Sequence, residues 1–155
     1  LKAPDLPFVI GVMGVGGPTE SYEPSQQRVK TIHENFRNAM AAVASMDEFK
    51  GTVASVRTAA FWDMEVTALR ARERELKPRV DEINARAKDG SLTREAAQAE
   101  VEGLYGEAFT PLELRVLRES VSNAEYHYLG SAKIMARIGR AFADAMADLM
   151  ARPGR

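Results

Sequence analysis

The chain contains no cysteine, and this absence removes several kinds of chemistry. Disulfide bonds, thiolate zinc sites and a cysteine nucleophile are all excluded. Histidine is nearly absent as well, since only His33 and His127 are present. Because catalytic zinc usually needs three protein ligands, most often histidines, we expect no metal centre.

An excess of positive charge is also missing. The net charge is -1 with 28% charged residues, so no basic surface is expected to attract phosphate backbones, and nucleic acid is not an expected partner. No apolar run reaches the length of a membrane span, and no basic-then-apolar leader precedes the first strand, so no membrane partner is expected. The 155 residues, 45% of them apolar, suit one globular domain or a part of one.

The first 60 residues carry the pattern of a β-α-β unit. The run LPFVIGVMGV, residues 6–15, predicts a strand that is buried on both faces of a parallel sheet. A glycine- and proline-rich loop follows, and a helix is predicted from Ser25, a candidate N-cap. A second strand is predicted around residues 52–58, parallel to the first. The apolar stripe that should pack this helix on the sheet consists of Val29, Ile32, Phe36, Met40 and Val43.

Residues 64–120 differ in character because they are rich in charges of both signs. We predict a helical insertion with a kink or break at Pro78 and a turn near residues 89–93. Thr110 and Glu113, with Pro111 between them, form a capping box that starts a further helix. Such alternating charge is typical of a solvated surface, and a partner-binding helical hairpin is the alternative.

The last helix is predicted to start near Gly130 and Ser131. Its apolar residues recur every three or four positions and predict a face that lies against a sheet. These residues are Ile134, Ile138, Phe142, Met146 and Leu149.

His127 lies just before this helix, in a segment without periodicity. An imidazole there can act as a base near neutral pH, and Glu125 could orient it, as the acid of a catalytic triad does. The alternative is a surface histidine between two packing tyrosines. His33 borders the first helix's apolar stripe and is interpreted as a boundary residue without a chemical role.

The segment GVMGVGG, which starts at Gly11, follows a strand but does not match a nucleotide-binding motif. Its glycines lack the G-x-G-x-x-G spacing, and no lysine stands where a phosphate-cradling loop needs one. We interpret it as closely packed backbone that could line a cleft. Trp62, after the second strand, is interpreted as a core residue, with sugar stacking as the alternative.

The order of these segments resembles the C-terminal part of carbohydrate esterases of the sialate O-acetylesterase type, within the SGNH (GDSL-like) hydrolases. The resemblance is carried by LPFVIGVMGVGGP, TVASVRTAAFWD and AEYHYLGSAKIMARIGRAFADAM. Glu125 and His127 match the family's acid-x-His motif, and Lys133 and the Ile138-Gly139 step match the helix after it. The family usually has Asp where Glu125 stands, and often Pro where Tyr128 stands.

The resemblance implies an α/β fold, namely a three-layer α/β/α hydrolase with a parallel sheet. Residues 1–63 and 121–155 would be its C-terminal part, and 64–120 an insertion. It implies O-acetyl ester hydrolysis on an acetylated carbohydrate, with His127 as base, Glu125 as acid and no cofactor. The family's nucleophile turn is not recognisable, since Ser21, Ser25 and Ser131 lie in loops or at helix starts.

We therefore expect that the chain begins midway through the fold, that an N-terminal portion of the same hydrolase supplies the serine, and that the chain alone is inactive. Carbohydrate-active members of this family are often exported, which favours a secreted or periplasmic location. The alternative function is a non-enzymatic interaction module that uses the charged helical insertion.

Overall fold

The structure, a computed structural model, describes residues 5–151. The described chain divides into two compact units, one formed by residues 5–62 and 122–151 and the other by residues 63–121. The assignment of these parts to a hydrolase domain and its insertion stays a prediction. In chain order, the elements are β1 (Phe8–Val12), α1 (Gln27–Ala42), β2 (Val53–Arg57), α2 (Met64–Lys88), α3 (Arg94–Ala108), α4 (Pro111–Glu119) and α5 (Ala132–Met150), joined by short 3-10 turns.

The first unit contains the β-α-β unit that the sequence predicts. β1 and β2 pair in parallel, with Phe8 opposite Val53 and Val12 opposite Arg57. Both strands end at the same edge, where Val12 is buried. Phe8, at the other end of β1, is 57% exposed, so the prediction of a strand buried on both faces is wrong for its first residue.

α1 forms where the sequence predicts a helix, but its N-cap is Gln26 rather than the predicted Ser25, and it turns a different face inward. Val29, Ile32 and Phe36 of the predicted stripe are 43%, 54% and 54% exposed. The buried residue of α1 is Arg37, whose guanidinium reaches the backbone carbonyls of the loop after β1. The prediction that this stripe packs on the sheet of the chain is therefore wrong.

α5 confirms its predicted apolar face. The hydroxyl of Ser131 caps the helix by accepting from the backbone N–H of Ile134. Ile134 and Leu149 are fully buried. α5 contacts both strands, and the Phe142 ring lies so close to Gly11 that a Cβ there would meet its Cζ atom at 2.7 Å.

The second unit consists of α2, α3 and α4. The capping box is confirmed, because the Thr110 hydroxyl accepts from the Glu113 N–H while the Glu113 carboxylate accepts from the Thr110 N–H. The predicted break at Pro78 is wrong, since α2 is continuous through this residue. Pro78 is exposed and has no backbone N–H to donate, yet the helix passes through it without ending.

The predicted fold class is wrong. The described residues are mostly helical and contain a parallel sheet of only two strands, which is not a three-layer α/β/α hydrolase fold. Such a fold needs a sheet wide enough to carry helices on both faces, and only two segments of residues 5–151 form strands. The prediction took the remaining strands from the family rather than from residues of this chain.

Candidate functional site

A tyrosine fastens the segment before α5 to the ends of both strands. The hydroxyl of Tyr128 accepts a hydrogen bond from the backbone N–H of Gly14 at 2.8 Å and shares another with the Thr58 hydroxyl at 2.7 Å. Gly14 follows β1 and Thr58 follows β2 directly. The Thr58 hydroxyl donates its proton to the carbonyl of Val12. In the hydrogen bond between the two hydroxyls, Tyr128 is therefore the donor and Thr58 the acceptor. This chain of hydrogen bonds joins the segment to the carboxyl edge of the sheet.

The same segment has an unusual backbone. Tyr128 and Leu129 have φ values of 54° and 61°, in the left-handed region that side chains other than glycine rarely adopt. The carbonyl of Leu129 accepts from the N–H groups of Ser122 and Asn123, which closes the segment into a loop. Leu129 itself is 1% exposed. Burial and long-range hydrogen bonds therefore hold a conformation that the local sequence disfavours.

His127 and Glu125, the predicted base and acid, lie in the 3-10 turn Glu125–Gly130, and both are exposed. The His127 ring lies beside the Tyr126 ring, with 4.5 Å between their centroids. A 3-10 turn places residues three apart on one face, so a spacing of two does not by itself direct Glu125 at the imidazole. The structure thus puts both residues in the loop that Tyr128 fastens to the strand ends, and their catalytic roles stay predictions.

Trp62, interpreted from the sequence as a core residue, is 5% exposed. Its ring covers Gly17, where a Cβ would lie 2.8 Å from Cδ1, and its centroid lies 6.0 Å from that of Tyr128. Gly17 has a φ of 78°, so both its backbone and its surroundings require glycine. The buried indole supports the loops around the strand ends, as the interpretation of Trp62 as a core residue predicts.

Arg37 organises the glycine-rich loop after β1. Its guanidinium donates to the carbonyls of Gly17 and Val15 at 2.9 and 2.7 Å, and the residue is 5% exposed. Tyr22, beside it, shares a hydrogen bond of 2.7 Å with Nδ1 of His33. Sequence reasoning interpreted His33 as a boundary residue, whereas the structure gives its ring a defined partner.

The pKa of His33 is lowered by burial and, to a smaller extent, by the positive charge of Arg37. A histidine whose folded pKa is below the unfolded value of 6.5 stabilises the protein above pH 6.5, and this stabilisation is lost as the pH falls toward the folded pKa. We expect the free energy of unfolding to fall between pH 7.5 and 5, and to fall less steeply in His33→Gln. Urea unfolding across this range tests the expectation, and identical slopes for the two proteins would contradict it.

A pocket of about 420 Å³ opens at the carboxyl edge of the sheet. Polar side chains from the loop after β1, from α1 and from the end of β2 line it, namely Glu20, Glu34, Arg37, Asn38 and Arg57. A larger cavity of about 710 Å³ lies in the second unit, between α2 and α3. Ligands of parallel sheets collect beyond the carboxyl ends of the strands, so the smaller pocket is the better candidate.

Comparison with protein-family models, curated proteins and solved structures finds no match in any of the three. Among residues 5–151, no group of three histidine, cysteine, aspartate or glutamate side chains could hold a metal ion. No helix within that range is both long and apolar enough to cross a bilayer.

Sequence reasoning missed the residues that build this site. Tyr128 and Gly14 are 114 positions apart, and no periodicity links them. Arg37 directly follows Phe36 of the apolar stripe, and no sequence pattern marks it as a buried residue. One signal was available, since GVMGVGG was interpreted as backbone lining a cleft, and Met13 does line the pocket.

Proposed function

We propose that this chain supplies the base, His127, and the acid, Glu125, of a serine-type carboxylic ester hydrolase that removes acetyl groups from carbohydrates. The observation that carries the proposal is the Tyr128 anchor, which fastens the loop bearing His127 to the carboxyl ends of two parallel strands. Active sites of parallel sheets form at that edge. The resemblance of the AEYHYLGSAKIMARIG segment to carbohydrate esterases adds the reaction class.

The proposed chemistry needs an accessible imidazole, and His127 is exposed. A serine hydroxyl attacks the acetyl carbonyl while His127 takes its proton, and the C–O bond to the sugar breaks as His127 returns that proton to the departing sugar oxygen. Water then repeats the sequence and releases acetate. Glu125, two residues from His127, would stabilise the imidazolium that forms in each half of the reaction.

Two of the serines that the sequence analysis considered, Ser131 and Ser21, do not suit the role of nucleophile. Ser131 is 2% exposed and its oxygen accepts from the Ile134 N–H as a helix cap. Ser21 donates to the carbonyl of Pro18 in an exposed turn. In residues 5–151, no serine occupies the turn directly after β1 or β2, where a strand would present it. The proposal therefore places the nucleophile in a further polypeptide segment.

Two features of the first unit support such a segment. Sheets most often have about four to six strands, yet β1 pairs only with β2 among the described residues. The parallel pattern leaves the backbone groups of Val9 and Gly11 directed to the open edge. Val29, Ile32 and Phe36 of α1 are exposed as well. We propose that the N-terminal portion of the hydrolase adds a strand to this edge and covers this apolar stripe.

The test is to incubate the full encoded polypeptide with a fluorophosphonate, which labels activated serines, and to locate the adduct by mass spectrometry. Acetate release from acetylated xylan is measured in parallel. We expect the full polypeptide to release acetate and the fluorophosphonate to abolish this release. The adduct should lie on a serine outside residues 5–151. The 155-residue chain alone is the control and should not be labelled. An adduct on a serine of this chain would contradict the placement of the nucleophile. If the full polypeptide were not labelled and released no acetate, the esterase proposal itself would be contradicted.

A further inference from the structure

Arg37 brings a positive charge to the wall of the pocket at the carboxyl edge of the sheet. Its guanidinium donates to the backbone carbonyls of Gly17 and Val15 and to the hydroxyl of Tyr22. These partners are uncharged, and no carboxylate of residues 5–151 forms an ion pair with the guanidinium. Since Arg37 is 5% exposed and lines the pocket, little water screens its charge there.

The Nε–H group of Arg37 is the part of the guanidinium that lacks a partner. Nε is buried, and none of the described residues accepts a hydrogen bond from it. A buried donor is costly to leave without an acceptor, and the cost is larger when the donor belongs to a charged group. A group that enters the pocket and accepts from Nε–H would remove this cost.

The other charges of the pocket leave one positive charge in excess. The Glu34 carboxylate forms an ion pair with the ammonium of Lys30, one helical turn earlier, at 3.9 Å. Arg57, exposed at the end of β2, donates to the side-chain oxygen of Asn38 at 3.0 Å and has no carboxylate partner in the described part of the chain. Glu20, exposed in the loop after β1, offsets one of the two guanidinium charges. A ligand with a single negative charge would neutralise the other.

A carboxylate suits this arrangement better than a phosphate. Its two oxygens lie in one plane and match the donors that a planar guanidinium presents. A phosphoryl group carries about 1.5 to 2 negative charges near pH 7, which is more than the positive excess of the pocket. Ala59 and Ala60, which follow β2, add a small apolar surface suited to a short hydrocarbon chain behind the carboxylate.

We propose that this pocket binds the carboxylate of a small organic monoacid between the guanidinium groups of Arg37 and Arg57, with the apolar part of the ligand against Ala59 and Ala60. The Nε–H of Arg37 and the N–H groups of Arg57 donate to the carboxylate oxygens. The site does not depend on the esterase reaction, since the charge and the donor that define it belong to the pocket itself.

The test is a titration of the isotope-labelled full polypeptide at pH 7.5, followed by NMR, with butyrate as the charged probe and butyramide as its neutral counterpart of similar shape. We expect butyrate to shift the amide signals of residues 12–20, 34–38 and 57–60 and the Nε–H signal of Arg37, with a Kd of roughly 10 mM or below. Butyramide and inorganic phosphate should each bind at least roughly fivefold more weakly.

Two exposed residues of the pocket give variants with opposite expected effects. Arg57→Gln should raise the Kd for butyrate roughly fivefold or more, because a charged donor is lost. Glu20→Gln should lower this Kd roughly twofold, because a repelling carboxylate is removed. The matched control is Arg28→Gln, which removes an exposed guanidinium of α1 outside the pocket and should leave the Kd unchanged. Thermal melts confirm that each variant is folded.

Four outcomes would overturn the proposal. They are the absence of saturable butyrate binding, binding of butyramide or phosphate as tight as that of butyrate, an Arg37 Nε–H signal that butyrate does not shift, and an unchanged Kd in Arg57→Gln. Because the titration involves no ester, failure of the esterase assay would leave this site unaffected, and failure of the titration would leave the esterase proposal unaffected.

Discussion

Replacing His127 by alanine in the full polypeptide is expected to lower kcat/KM for acetate release by roughly 10⁴-fold or more. The imidazole would carry the proton in both halves of the reaction, and loss of such a base removes most of the acceleration that a serine hydrolase achieves. Because His127 is exposed, the thermal midpoint of the variant should stay close to that of the parent. Steady-state assays on acetylated xylan measure the first quantity and calorimetry the second.

The control is His33→Gln, which removes the only other histidine and should keep kcat/KM above pH 7, where the His33 ring is neutral. Equal activity of His127→Ala and the parent would show that the base lies elsewhere.

Glu125→Gln separates the two predicted residues. A loss of roughly 10²-fold or more would support its role beside the imidazole, whereas an unchanged rate would remove Glu125 and leave His127 in place.

Gly14→Ala is expected to destabilise the first unit by at least about 3 kcal/mol. A Cβ at residue 14 would overlap the backbone nitrogen of Ala59 and lie 2.5 Å from the carbonyl carbon of Thr58. Backbone atoms cannot rotate away as a side chain can, so the loops after β1 and β2 would have to separate. That movement would also stretch the hydrogen bond from the Gly14 N–H to Tyr128. Urea unfolding followed by circular dichroism gives the free energy of unfolding.

Gly139→Ala is the matched control, because it adds the same methyl group to a helix of the same unit. A Cβ at Gly139 meets nothing within 4 Å, and alanine is favoured over glycine within a helix. We expect this variant to gain up to about 1 kcal/mol. If the two substitutions changed the free energy of unfolding equally, the close approach at Gly14 would not be a property of the folded protein in solution.

The sequence correctly predicted those elements whose formation depends on residues close together in the chain. The capping box of Thr110 and Glu113 and the start of α5 near Ser131 depend on nearby residues, and both predictions are confirmed. The parallel pairing of β1 and β2 followed from the apolar runs and from the helix between them. These elements could be predicted because their hydrogen bonds and packing are set by nearby residues.

The errors arose where a distant partner decides the outcome. The stripe of Val29, Ile32 and Phe36 was assigned to the sheet of this chain, yet the buried residue of α1 is Arg37. Hydrophobic periodicity indicates that a helix has an apolar face, but it does not identify the residues that pack against that face. The fold class failed for a related reason, since strand content was inferred from a family rather than from the two apolar runs that the chain contains.

The left-handed backbone at Tyr128 and Leu129 has a consequence for the order in which the chain folds. Two successive left-handed residues other than glycine each cost roughly 1–2 kcal/mol, so this turn is a poor nucleus on its own. It becomes favourable only after Gly14 and Thr58 have been brought together by pairing of the strands, which must close long stretches of chain first. The loop that carries His127 should thus be among the last parts of the first unit to form during folding.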